Sequence, residues 1–91
     1  MHYVYILQSI KDKKFYIGCT SLVPDERLKK HNAGSVKSTK SRRPFKLIYF
    51  ETFSGKLDAY KREFYLKSPQ GYSEKREIIN GCIAQLVRAQ S

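Results

Sequence analysis

Tyr16-Ile17-Gly18-Cys19-Thr20-Ser21-Leu22-Val23-Pro24-Asp25-Glu26-Arg27-Leu28-Lys29-Lys30-His31-Asn32 reads as the end of a strand, a short loop and a helix. Pro24 opens the helix and Asp25 and Glu26 fill its first turn, positions where proline and acids are favoured. The helix then continues through Arg27, Leu28, Lys29, Lys30, His31 and Asn32 with hardly any apolar stripe, so core packing explains it poorly. Arg27 and His31 stand at i and i+4 and share one face, a fork-shaped phosphate binder beside a group that moves protons near neutral pH.

Upstream, Tyr3 to Leu7 and Lys14 to Gly18 are short runs of β-branched and aromatic residues on either side of a polar connection, the pattern of a hairpin. Alternation puts Tyr3, Tyr5 and Leu7 on one face, with Tyr16 and Gly18 opposed to Phe15 and Ile17 in the second strand. Symmetric closure about Ile10-Lys11 sets Tyr5 across from Tyr16, with Gly18 leaving open backbone beside the two phenols. Downstream, Gly34 suits the end of the polar helix, and the loop from Ser35 to Pro44 carries Lys37, Lys40, Arg42 and Arg43. Phe45 to Thr52 reads as a third strand with Phe45, Leu47, Tyr49 and Glu51 on one face.

Lys56 to Lys67 has the strongest helical pattern, with Leu57, Tyr60 and Phe64 as a stripe that Ala59 and Leu66 widen. Glu63 falls on the Ala59–Leu66 side. A carboxylate near a buried face must be paired, protonated or bound to a cation; the plainer reading is an i, i+4 pair with Lys67 worth about 0.3–0.5 kcal/mol. A further helix begins at Glu74, capped by Ser73. The expected fold is α+β, a small three-stranded antiparallel sheet flanked by helices, over residues 1–80. The segment 81–91 keeps an apolar spacing across Gly81 but also resembles the translation of a transfer-RNA gene segment, so it stands as a tail with no assigned role.

At 91 residues the chain is one small domain. With 18 Lys and Arg against 8 Asp and Glu, the net charge of +10 points to an anionic partner, nucleic acid ahead of a membrane surface. No apolar run reaches transmembrane length, and the N-terminus has no basic-then-apolar signal pattern, which points to the cytoplasm. Cys19 and Cys82 are too few for a disulfide framework and lack zinc spacing. The absence of paired metal clusters, a Gly-rich phosphate loop and a Ser-His-Asp set disfavours kinases, two-metal phosphatases and serine hydrolases. Three readings compete on the residues alone: a phosphodiester hydrolase, a non-catalytic nucleic-acid binder and a protein-interaction module.

Tyr3-Val4-Tyr5, then Tyr16-Ile17-Gly18, Arg27, His31-Asn32 and a later helix with Ala59 and Arg62-Glu63 resemble the GIY-YIG nuclease domain. The likeness is greatest to its small single-domain proteins, those related to the N-terminal GIY-YIG domain of excinuclease. The resemblance implies metal-dependent phosphodiester cleavage, in DNA repair or recombination, with DNA ahead of RNA as substrate. It implies that Tyr5 and Tyr16 hold or deprotonate the attacking water, Arg27 binds the scissile phosphate, His31 assists proton transfer, and Glu63 ligates Mg²⁺ or Mn²⁺. Lys29, Lys30, Lys37, Lys40, Arg42, Arg43 and Lys46 are the expected phosphate-backbone contacts. The chain departs from the pattern at Tyr3, where the family has glycine, at Cys19, where some relatives carry lysine, and in lacking a clear counterpart to an asparagine beyond the glutamate; Asn80 is the nearest. The alternative is a nucleic-acid-binding module that keeps the nuclease fold without turnover.

Overall fold

A computed structural model of the protein describes the backbone of residues 1–90 and the side chains of residues 1–82. Three strands, β1 (His2–Ser9), β2 (Phe15–Thr20) and β3 (Phe45–Phe53), form one antiparallel sheet in the order β2-β1-β3. Helix α1 (Pro24–Asn32) follows β2, α2 (Lys56–Lys67) follows β3, and α3 (Tyr72–Gln90) follows α2 after a short 3₁₀ turn.

The central position of β1 explains its composition. Val4, Tyr5, Ile6 and Leu7 are all buried because helices cover both faces of the sheet. Val4, Ile6 and Ile17 pack under Ala59 and Leu66 of α2 and Ile79 of α3. On the other face Tyr5, Leu7 and Phe45 pack with Tyr16, Leu28 and Leu47. Helix α1 lies over this second face and buries only Pro24 and His31 of its own residues. Gly34, at φ +82°, turns the chain away after α1 in a backbone region that suits glycine.

The hairpin register differs from symmetric closure about Ile10-Lys11. Tyr5 pairs with Gly18 and Tyr16 with Leu7. The turn is centred later because β1 extends to Ser9, whose buried hydroxyl accepts the amides of Lys11 and Asp12, each at 3.1 Å, and closes the turn. Since the slip is by an even number of residues, both phenols stay on the same face, now as diagonal neighbours.

A second difference lies in β3. The β1–β3 register shifts between Ile6 and Leu7, so that Ile6 pairs with Tyr49 but Leu7 with Leu47. This bulge inverts the alternation. Phe45 and Leu47 therefore face α1, while Tyr49 packs on the α2 side and Glu51 reaches Arg62 there, against the expectation of one shared face.

The third difference concerns α2. Leu57, Tyr60 and Phe64 are exposed, at 65%, 47% and 77%, and the buried residues are Ala59 and Leu66. Small Ala59 lets the helix approach the sheet, and the polar neighbours on that side are paired: Arg62 bonds Glu51 at 2.8 and 2.9 Å and also Glu74 of α3. Tyr49 donates to the same Glu51 carboxylate. The expected helix is present as α3 but begins at Tyr72, so Ser73 lies inside it and does not cap it; its backbone continues through Gly81, whereas the apolar side chains of the 81–91 tail beyond Cys82 lie outside the described residues.

Candidate active site

β2 is an edge strand, and the residues singled out in the sequence gather around it from both faces of the sheet. Tyr5 and Tyr16 project toward α1 with ring centroids 6.3 Å apart. His31 descends from α1 onto both, its ring 5.7 Å from Tyr5 and 5.2 Å from Tyr16. Gly18 is what makes room for this arrangement. A Cβ there would sit 2.4 Å from both Cζ and Oη of Tyr5, so the open backbone beside the phenols is filled by Tyr5 itself.

The Tyr5 hydroxyl lies between two α1 side chains. Arg27 Nε–H donates to Tyr5 Oη at 3.2 Å, and Tyr5 Oη lies 2.8 Å from His31 Nε2. The other imidazole nitrogen, Nδ1, is 2.8 Å from Thr39 Oγ1. His31 and Thr39 are both fully buried. Burial, followed by the Arg27 charge, pushes the His31 pKa down from 6.5 to about 4, so the ring is neutral at pH 7. Burial also pushes Tyr5 up to about 12; Arg27 opposes the shift, while Tyr16 and Glu63 add to it. Tyr5 is therefore a protonated phenol at pH 7, with a proton acceptor in hydrogen-bond reach.

The depressed His31 pKa has a consequence for stability. Between pH 6.5 and 4 the unfolded chain takes up a proton that folded His31 refuses, so stability falls as pH drops through this window, by up to about 3 kcal/mol. His31→Gln lacks this dependence. Urea melts should show the stability gap between wild type and His31→Gln narrowing by about 2–3 kcal/mol from pH 7.5 to pH 4.5; a gap that stays constant would contradict a neutral buried imidazole.

Glu63 comes to the same edge from the opposite face. Its carboxylate is 3.4 Å from Lys67 Nζ and its side chain is only 21% exposed. Lys67 Nζ also stands 5.8 Å from the centre of the Tyr16 ring, which ties Glu63 and its partner to the phenol pair. Among the described residues no group of three or more His, Cys, Asp and Glu is placed to hold a metal ion. A lone carboxylate still fits Mg²⁺, which retains several waters and is commonly held by one or two carboxylates together with substrate phosphate oxygens.

A family model described as the GIY-YIG catalytic domain matches residues 1–76. The chain belongs to the GIY-YIG family. Within it, the chain is 47% identical over 68 residues to a UPF0213 protein of Clostridium perfringens, covering 74% of this chain and 71% of that one. It is 41% identical over 78 residues to a UPF0213 protein of Bacillus licheniformis, covering 85% and 78%. The solution NMR structure of a UPF0213 protein from Bacillus halodurans superposes with a TM-score of 0.51 at 38% identity, over 87% of this chain and 82% of that one.

In this GIY-YIG domain the expected backbone-binding residues do not form a single equivalent set. Lys30, Lys37, Lys40, Arg43 and Lys46 are exposed, as is Lys29, which pairs with Glu26 at 3.3 Å. Arg42 is engaged structurally: its Nε donates to Asp12 at 2.9 Å, its Nη2 to the Phe15 carbonyl at 3.4 Å, and its guanidinium sits over the Phe45 ring. Arg42 thus holds the basic loop to the hairpin. Asn80 is an exposed residue of α3. Among the described residues no helix is long and apolar enough to cross a membrane.

Two supporting residues have structural roles that the sequence does not assign: Asn32, which figures in the family resemblance without a role, and Thr39. Asn32 clamps the start of β3, accepting the Phe45 amide at 2.7 Å and donating to the Phe45 carbonyl at 3.1 Å, which fixes the C-terminal end of α1 against the sheet. Thr39 reaches His31 from the basic loop. Neither belongs to a periodic pattern; the only available cue for Thr39 was that a buried imidazole needs a partner on each nitrogen.

Proposed function

We propose that this domain is a metal-dependent endonuclease that hydrolyses phosphodiester bonds in nucleic acid, with DNA the first substrate to test. The observation that carries the reading is the placement of Tyr5 Oη between Arg27 Nε and His31 Nε2. Held protonated by burial, Tyr5 is a poor base alone. In a relay, the phenol oxygen would accept a proton from the attacking water as the phenol proton passes to Nε2 of His31, an imidazole that burial and the Arg27 charge make a weak acceptor until a bound phosphate offsets that charge. Arg27 spends Nε on Tyr5, and among the described residues its two Nη groups have no partner, which leaves a fork for the scissile phosphate. Tyr16, beside both groups, bounds the position of the water. Glu63 would hold the divalent cation, Mg²⁺ or Mn²⁺, whose chemistry is to neutralise charge on the phosphate.

The exposed cations of α1, the basic loop and β3 support backbone binding with little base reading. Affinity should fall steeply with salt, with a log–log slope on the order of the number of phosphates neutralised. Arg27→Ala should reduce nicking by about 10²–10³-fold, the cost typical of losing one group that stabilises developing charge. Retention of wild-type nicking in that variant would remove Arg27 from the mechanism. One observation favours the second reading, a non-catalytic binding module: Glu63 already has a cationic partner in Lys67. Binding without nicking by the wild type under any metal condition would select it.

A further inference from the structure

We infer that Thr39 is a positioning residue for the Tyr5–His31 pair: its hydroxyl fixes the imidazole in the tautomer whose Nε2 lone pair faces the Tyr5 phenol. The inference rests on the nuclease reading only for its effect on rate, because the tautomer follows from hydrogen-bond accounting in a buried cluster.

Thr39 Oγ1 is 3.3 Å from the Val36 carbonyl and 2.8 Å from His31 Nδ1. The hydroxyl hydrogen has two acceptors in reach, the Val36 carbonyl and a bare Nδ1; when it points to Val36, a lone pair is left facing Nδ1. In that arrangement Nδ1 carries the ring hydrogen. Nε2 is bare, and Tyr5, which already accepts from Arg27 Nε, donates its own hydrogen to it. Each link from Arg27 Nε–H through Tyr5, His31 and Thr39 to the Val36 carbonyl then has one donor and one acceptor.

The opposite tautomer breaks this closure. If Thr39 donated to Nδ1, Nε2–H would aim at a phenol oxygen already holding the Arg27 bond. In the resting protein the Tyr5 hydrogen would then have no acceptor among the described residues, in a site where Tyr5 is 1% exposed and His31 and Thr39 are fully buried, and the water of the proposed reaction is a donor to Tyr5, not an acceptor from it. An unmade bond there costs about 1–3 kcal/mol, enough to set the tautomer. It would also leave Tyr5 with no route for its proton.

The loop that carries Thr39 is itself secured. The Thr39 amide bonds the Val36 carbonyl at 3.1 Å, the Arg42 amide bonds the Thr39 carbonyl at 3.0 Å, and the buried Ser9 hydroxyl of β1 donates to the Arg42 carbonyl at 2.6 Å. Thr39 is therefore held from the same strand that carries Tyr5. A residue of the basic loop serves the proton path while its neighbours face solvent.

The test is the ¹⁵N and ¹H spectrum of the His31 imidazole at pH 7 in wild type, Thr39→Ser and Thr39→Val, beside nicking rates of the same samples. The wild type should show the Nδ1–H tautomer, and so should Thr39→Ser, with nicking within about 3-fold of wild type. Thr39→Val should lose the single tautomer and nick about 10–100-fold more slowly, the loss typical of removing an orienting partner from a functional imidazole. A wild-type imidazole carrying its hydrogen on Nε2 overturns the inference without need of any variant. So does a Thr39→Val protein that folds and keeps the wild-type tautomer. An Nδ1–H tautomer lost in Thr39→Val while the wild type nicks no substrate would uphold the role of Thr39 and sink the nuclease reading.

Discussion

Gly18→Ala should abolish most nicking and destabilise the fold, although the change adds a single methyl group. The new Cβ would lie 2.4 Å from Cζ and Oη of Tyr5 and 3.0 Å from Cε2 of Tyr16. Neither phenol can retreat freely, because Tyr5 is buried between Arg27 and His31 and Tyr16 packs on the same cluster. Overpacking of this kind costs about 1–3 kcal/mol. The loss should show in rate as well as in stability, since displacing the phenol by about an ångström breaks its bonds to both α1 side chains. A loss of at least about 10²-fold is expected from misplacement on that scale. Thermal melting together with nicking on the same preparation separates the two, and a well-folded Gly18→Ala protein with wild-type rate would show that the glycine does not serve the Tyr5 ring.

Glu63→Gln should have the largest effect on chemistry and nearly none on folding. The substitution keeps the shape and helix propensity of the side chain but removes the charge that would hold a cation. The pair it dissolves, with Lys67 at 3.4 Å, is an i, i+4 contact whose lysine is 50% exposed, worth at most about 0.5 kcal/mol. Cleavage should fall by about 10³-fold or more, while affinity for nucleic acid measured without divalent ions stays within a few-fold of wild type, because the proposed phosphate contacts lie on α1, the basic loop and β3. A parallel fall in binding and cleavage would place Glu63 in substrate binding rather than in chemistry.

The elements of this fold are legible in the chain because its punctuation is strong. Pro24 with the acids after it marks α1, Gly34 ends it, and the apolar run of β1 announces a strand covered on both sides. What the residues conceal are effects that depend on pairing. A serine hydroxyl that closes a turn moves the hairpin register by an even step, and a bulge opposite Ile6 and Leu7 sends Tyr49 and Glu51 to the other face from Phe45 and Leu47. Periodicity alone also chose the wrong face of α2: Leu57, Tyr60 and Phe64 outweigh Ala59 in hydrophobicity, yet Ala59 is the residue small enough to lie against the sheet. Arg27 and His31 stand out in the chain because a helix with so little to bury needs another reason to exist, and Glu63 because a carboxylate beside a buried face needs a partner; in the fold Arg27 and His31 meet at the Tyr5 hydroxyl and Glu63 meets Lys67. Thr39 and Asn32 act through hydrogen bonds across the fold, which spacing along the chain does not record.

The central claim, that the Arg27–Tyr5–His31 cluster and Glu63 form one catalytic site, is tested most directly by a nicking assay of the wild-type protein on supercoiled plasmid, branched DNA and RNA, each with Mg²⁺, Mn²⁺ or chelator. The expected result is cleavage of at least one substrate that requires a divalent ion and vanishes with chelator. Binding to all three substrates with no cleavage of any under either metal would contradict it.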